Sequence, residues 1–309
     1  MKNTLKKRTF ISAIAMLIVS AIVLTSSTFA WFSMAKRVEV EEMSLNITSP
    51  DGVQLSGNAS AFTTSLTLAD LKGETAARWA AYAGNINNFP ELLKPSSSSM
   101  RAVRALPVFY EGSINDAGKL SAVKVDSDVG SGYVAFDLFV QVGKDMPVYW
   151  DETTITCEDN PEVVSAMRVG IVNCGTVTPK AEAGQILPVY PNTHDNRGCA
   201  MYQPQHNQHT DASGYEDGAT VPDVYLISAF ENINPNGNGK NITMGNTNLS
   251  GAALGTKVND DNKATEAYFN AKTGINRIRV YLWMEGNDVD CENSVAGATL
   301  GFNLVLTIK

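Results

Sequence analysis

The sequence predicts an all-β protein: an antiparallel β-sandwich with long loop insertions and a short helical segment. Three stretches, "YVAFDLFVQV", "RIRVYLWM" and "LGFNLVLTIK", alternate between apolar and polar positions, the two-residue period of a strand with one buried face. Charged residues make up only 18% of the chain, while Asn, Thr, Ser and Gly are abundant. Two long stretches rich in Asn, Gly, Pro, Thr and Asp supply the loops. Three long amphipathic strands need something to cover the sheet they form, and a second sheet is the most economical cover.

The chain opens with Lys2, Lys6, Lys7 and Arg8, then carries no charge from Phe10 to Ala30. A positive region followed by a hydrophobic one is the layout of a signal peptide. Thr28 and Ala30 put small residues at the positions a signal peptidase reads if it cuts between Ala30 and Trp31. The competing reading is an uncleaved signal anchor, since this run at about 1.5 Å per residue just spans a bilayer core of about 30 Å. Thr25, Ser26, Ser27 and Thr28 make its last third polar, which favours cleavage. On either reading the bulk of the chain lies outside the cytoplasm, and a membrane is touched only through this segment if it stays uncleaved.

Removing residues 1–30 takes away four of the 24 basic residues and none of the 32 acidic ones, leaving a net charge of −12. Such a surface repels phosphate backbones, so nucleic acid is excluded as a partner. The remainder is long enough for one large core. It is expected as an extended segment at 31–42 and a sandwich domain at 43–309, with insertions at 176–222 and 231–265.

Along that domain, shorter strands are expected at 44–48, 52–55, 103–110, 120–125, 167–172 and 224–230. "LADLKGETAARWAAYA" at 68–83 is Ala-rich without alternation and reads as a helix or two helical turns, with Asp70 as a cap. "NNFPELLKPSSSSM" reads as a loop. In the three long strands the inward sets are Val134, Phe136, Leu138, Val140 and Val142; Ile278, Val280, Leu282 and Met284; and Leu300, Phe302, Leu304, Leu306 and Ile308. Cys157, Cys174, Cys199 and Cys291 all fall in the exported part. Two disulfides with three pairings are open, and Cys157 with Cys174 is preferred because they bracket a short segment. Buried free thiols are the alternative.

Two constellations are candidate metal sites. His194, Cys199, His206 and His209 lie in "HDNRGCAMYQPQHNQHTD" and combine imidazole with thiolate, a donor set suited to zinc. The alternative is a polar loop whose cysteine forms a disulfide, for instance with Cys291. Glu285, Asp288, Asp290 and Glu292 follow a strand at a Gly-Asn turn and offer hard oxygen donors for calcium. The alternative there is a solvated acidic turn paired with Arg277 or Arg279. No GxSxG elbow, phosphate loop or dinucleotide fingerprint is present, so no catalytic residue is assigned and the chain is not expected to be an enzyme. Trp79, Trp150 and Trp283 are candidate sugar platforms or, alternatively, core residues.

The residues Ala30, Trp31, Phe32 and Ser33 at the end of the hydrophobic run, followed by the strand-like "KRVEVEEMSLNITSP", resemble the Firmicute exported proteins processed by the SipW-type signal peptidase, the TasA and camelysin-like family. The closing "RVYLWMEGNDVDCEN" and final strand are similar to clostridial surface proteins with this signal type. The resemblance covers about residues 1–48 and the closing segment. It implies a jelly-roll sandwich and assembly with copies of itself into an extracellular fibre, each N-terminal segment completing a neighbour's sheet. Camelysin-like relatives also imply a protease reading for the histidine cluster.

Apart from the resemblance, a chain beginning at Trp31 exposes a segment with Val38 and Val40 on one side. After a register step at Glu41 and Glu42 the apolar side continues as Met43, Leu45 and Ile47. A free strand with an apolar face seeks a sheet edge, so Trp31, Phe32, Val38 and Val40 mark the candidate assembly strand, while 43–48 are expected to pair within their own molecule. The expected function is a secreted structural subunit of a cell-surface or biofilm-matrix fibre, with signal peptidase as a transient partner. The alternatives are a surface adhesin or glycan-binding module using the long loops, and a zinc-dependent secreted protease.

Overall fold

A computed structural model describes residues 39–48, 53–59, 61–72, 86–98, 109–114, 120–125, 131–150, 152–160, 162–177, 199–205, 256–286, 291 and 297–308. The fold is all-β. A six-stranded sheet runs β14 (Phe269–Ala271), β9 (Met146–Tyr149), β16 (Thr299–Ile308), β1 (Glu39–Thr48) and β3 (Ser65–Thr67), with β10 (Thr154–Cys157) also on β16. A seven-stranded sheet runs β13 (Thr256–Asn259), β12 (Cys199–Gln203), β11 (Met167–Val177), β15 (Gly274–Met284), β8 (Val134–Val142) and β2 (Gln54–Ser56), with β4 (Asn87–Asn88) also on β8. A third, small sheet joins β5 (Ser97–Ser98), β6 (Phe109–Ile114) and β7 (Leu120–Lys124).

The alternation read from the sequence sorts the core correctly. All fourteen residues of the three inward sets are buried and belong to one hydrophobic cluster. That cluster draws on both large sheets: Leu45, Leu300 and Leu304 from the first, Phe136, Leu138 and Val280 from the second. Each such side chain contributes about 1.5–3 kcal/mol on burial, so the face shared by the two sheets is the main source of stability.

The strands are not all antiparallel, as the sequence reading expected. β1 pairs parallel with β16, Leu45 opposite Leu304, and β12 pairs parallel with β13. Alternation reports which side chains share a face and is blind to strand direction. β1 and β16 lie far apart along the chain, so no hairpin constrains their direction and the rest of the chain serves as the crossover.

β16 keeps its half-buried alternation, with Gly301, Asn303 and Thr307 part-exposed, but β8 and β15 are not half-buried. In β8 only Gln141 escapes burial, and in β15 only Gly274. Their second face is covered by two further clusters: Phe109 and Val125 against Tyr133, Tyr281 and Trp283, and Ala59 against Phe139 and Ile275. Central strands of a large sheet lose both faces to neighbours, as in sheets covered on both sides.

Other expectations need adjustment. The helix at 68–83 is a five-residue α1 (Leu68–Lys72) over the described residues. Thr67 caps it: its Oγ accepts from Asp70 N at 3.3 Å, and Asp70 Oδ2 accepts from Thr67 N at 3.0 Å, a capping box in which Asp70 is the reciprocal partner and not the cap. A second helix, α2 (Glu162–Ala166), was not expected, because its Val163, Val164 and Ala166 run straight into the apolar β11. The insertion at 176–222 contains the end of β11 and all of β12, and the one at 231–265 contains β13. Strands of four or five residues flanked by polar loops leave too little alternation to read. The strand expected at 103–110 is described only from Phe109, where β6 begins, and 224–230 lie outside the described residues.

β11 carries an irregularity between Asn173 and Gly175. Gly175 takes φ 88°, a left-handed conformation that side chains disfavour, and its N–H donates to Asn173 Oδ1 at 3.0 Å. Cys174, two residues on from Val172, lies with it on the second face, in the cluster with Tyr281 and Trp283. Cys157 belongs to the cluster between the two large sheets. Both are free thiols, so the preferred Cys157–Cys174 disulfide does not form; the residues bracket a short segment but face different clusters.

An exposed acid ties two turns together. Asp145, between β8 and β9, accepts from Lys272 Nζ at 2.9 Å and from Thr273 N at 2.8 Å and Oγ at 3.0 Å. The Lys272 hydrogen bond foremost, then those of Thr273, hold its carboxyl down at about 2, from an ordinary value of 3.8. A carboxyl depressed on folding stabilises the fold above its ordinary value and loses that contribution as pH falls through about 2. NMR titration of the Asp145 side-chain carbon is expected to give a midpoint near 2, and Lys272→Ala is expected to move it up toward 3.8.

Candidate functional site

The strand-like segment behind the hydrophobic run is where the sequence placed assembly, and β1 is the described end of it. Parity explains its shape. Val40 is an even position and Met43, Leu45 and Ile47 are odd, so a regular strand would point Val40 away from the core. A register shift between Val40 and Glu42 corrects this, at the step the sequence suggested. One extra residue on the bulged strand flips the alternation, and Val40 packs against the same core as Met43 and Leu45.

β1 is held unequally on its two sides. Along β16 it is paired from Glu39 to Thr48. On the other side β3 pairs only with Ser44, Leu45 and Asn46. Among the described residues, Glu39–Met43 have no ladder partner on that side.

A groove of about 570 Å³ opens at this end of β1, lined by Val40, Leu68, Phe89 and Val134, with Lys72 and Glu91 also lining it. Its members come from four places: β1, the start of α1, the loop after β4 and the start of β8. Phe89 is half-buried and stacks on Phe136, centroids 5.7 Å apart. Val40, Leu68 and Phe89 are only partly covered while resting on the core. Partly exposed apolar side chains beside an unpaired strand edge are what an added strand with an apolar face requires.

The proposed assembly residues divide accordingly. Val40 lies in β1, opposite Leu300 of its own chain, so the stretch available to a neighbour ends before Glu39. Trp31, Phe32 and Val38, and the cleavage position at Ala30 and Trp31, lie outside the described residues. No helix among the described residues is long and apolar enough to cross a membrane, and the segment 1–30 is not among them.

The metal candidates are largely outside the described residues too. Cys199 starts β12, opposite Val172, and His194, His206 and His209 are not described. Glu285 is fully buried and accepts from Trp283 Nε1 at 3.1 Å, so it is spoken for by the core and does not sit on a solvated turn. Asp288, Asp290 and Glu292 are outside the described residues. Among the described residues no group of three metal-binding side chains converges. Trp150 and Trp283 are fully buried, which removes both as sugar platforms; Trp79 is not described.

One polar constellation was missed. Asp137 on β8 is fully buried and meets two arginines of β15. Arg279 is bidentate, Nε to Oδ1 at 2.6 Å and Nη2 to Oδ2 at 2.9 Å, and Arg277 Nη2 reaches Oδ2 at 2.5 Å. Ile86 N adds a fourth donor to Oδ2 at 3.2 Å. Burial works against the Arg279 cation, but Asp137 more than offsets it and holds the group protonated above its ordinary range. Burial pushes the neighbouring Cys174 thiol up to about 12, so it stays an unreactive thiol. The arginines thus pair with an acid on the adjacent strand. This cluster locks the covered second face and offers no reactive group. Comparison of the chain with protein-family models, curated proteins and solved structures finds no match.

Proposed function

We propose that this chain is an exported structural subunit of an extracellular or cell-surface fibre, and that the residues ahead of Glu39 join one copy to the next. On this reading the two large sheets are the layers of a jelly-roll-like sandwich. Their shared hydrophobic cluster supports that, as does the resemblance to the TasA and camelysin-like family.

The observation that carries the proposal is the side of β1 that has no ladder partner among the described residues over Glu39–Met43, next to the groove of Val40, Leu68, Phe89 and Val134. Segment 31–38 brings Trp31, Phe32, Met34 and Val38 as its large apolar residues. Because β1 itself is engaged in its own subunit, that segment is what remains to reach a neighbour's groove. A donor at one end and an acceptor elsewhere on the surface make a heterologous contact, which propagates as an open filament.

Three proteins test this by negative-stain electron microscopy: one starting at Trp31, one starting at Trp31 behind an added N-terminal tag, and one starting at Glu39. Filaments are expected from the first alone, with the third a folded monomer. Filaments from the Glu39 protein would overturn the donor role, and monodisperse particles from all three would overturn assembly altogether.

A further inference from the structure

The face of the six-stranded sheet turned away from the core is built differently from an ordinary wetted face. A groove of about 410 Å³ crosses β3, β1, β16 and β10, within the range of about 300–1,000 Å³ typical of small-ligand sites. Its polar lining is Ser44, Thr67, Thr154, Thr156 and Asn303, around Gly301. The side chains described as lining it carry no charge, in a chain of net charge −8.

The lining is also arranged. Asn303 Oδ1 accepts from Ser44 Oγ at 2.9 Å and from Asn46 Nδ2 at 3.2 Å. With its oxygen engaged on the β1 side, the carboxamide is fixed in orientation and its Nδ2 keeps two hydrogens to donate. Directly across the antiparallel pair, Thr154 stands opposite Asn303 and Thr156 opposite Gly301. Both threonines are exposed. They lie two residues apart on one face, about 7 Å along the strand, so the groove presents a row of hydroxyls beside an amide donor.

Gly301 gives the row its depth. A Cβ there would come within 2.7 Å of Thr156 Oγ, closer than such atoms approach, so any side chain would displace that hydroxyl and fill the floor. Leu68 and Ala69 form an apolar wall on the α1 side. Neutral donors and acceptors in a line, with one apolar wall, match a ligand that is itself neutral, rich in hydroxyls and apolar on its ring faces.

We infer that this groove binds a segment of uncharged polysaccharide. The site neighbours the β1 groove proposed for assembly and shares Leu68 with it, but its hydroxyl row and Asn303 belong to this site alone. The two proposals fail separately, because glycan binding is measured on unassembled protein.

The test uses the full chain, purified in a detergent without a sugar head group, and three neutral hexasaccharides: β-1,4-linked glucose, β-1,4-linked N-acetylglucosamine and α-1,4-linked glucose. A hexamer of galacturonic acid is the charged comparison. Calorimetry is expected to give a dissociation constant of about 1 mM or tighter for at least one neutral hexamer and none for the charged one. Asn303→Ala and Thr154→Ala, both at positions that are not fully buried, are each expected to weaken binding at least fivefold with unchanged circular dichroism. Gly301→Val is expected to abolish it. No binding by any neutral hexamer would overturn the inference. So would binding that survives Asn303→Ala and Thr154→Ala unchanged, which would place the ligand elsewhere, or equal binding of the charged hexamer.

Discussion

Asp137→Ala is expected to lower the free energy of unfolding by about 3–5 kcal/mol, read from urea denaturation followed by circular dichroism. Arg277 and Arg279 are 1% and 5% exposed, so the substitution strands two guanidinium groups on the covered second face. Their attraction to Asp137 is what makes burial of the cluster tolerable, and removing the acid leaves the desolvation cost without its compensation. Ile86 N also loses its acceptor. Asp137→Asn keeps the shape and one acceptor oxygen but not the charge, and is expected to cost less than the alanine variant. A loss below about 1 kcal/mol in the alanine variant, the size of one ordinary hydrogen bond, would mean that water reaches the arginines and that the second face is not sealed.

The same cluster shows where the sequence was readable. Strict alternation identified the inward residues of β8, β15 and β16, because a period of two sorts faces whatever lies beyond them. It assigned the opposite faces to solvent by default. For β16 that is right, but around β8 and on β15 those faces carry Tyr133, Phe139, Tyr281 and Trp283, all buried, and bulky aromatics on both sides of a strand are a mark of central position. Asp137 between them, with Arg277 and Arg279 at alternate positions of another strand, was the available signal for a buried ion cluster. A single strand's pattern does not say which strand is its neighbour, so the pairing stayed hidden.

The candidate assembly site was half legible. The change of parity between Val40 and Met43 announced the bulge in β1 from sequence alone. The groove beside it was not readable, since Leu68, Phe89 and Val134 belong to three separate elements and meet only in the fold. Cys157 and Cys174 illustrate the opposite error. Proximity along the chain suggested a bridge, but Cys157 faces the core between the large sheets and Cys174 follows Val172 onto the second face.

Leu304→Ala and Leu45→Ala are each expected to cost about 2–5 kcal/mol, and together less than the sum of the two by at least about 0.5 kcal/mol. Both residues are fully buried, and they stand directly opposite each other in the parallel pair of β1 and β16. Each truncation removes packing that the other also uses, which is the condition for non-additivity. β16 is the hub of its sheet, paired with β1, β9 and β10. The pair also decides how far the exchanged segment extends. If β1 stays in its own subunit, Leu45→Ala lowers the stability of the monomer, and protein that remains folded still forms filaments from Trp31. If Leu45→Ala left monomer stability unchanged and abolished filaments, β1 itself would be the strand that passes between subunits. The donor would then run to Thr48, and the pairing of Leu45 with Leu304 would be one that assembly makes between two copies.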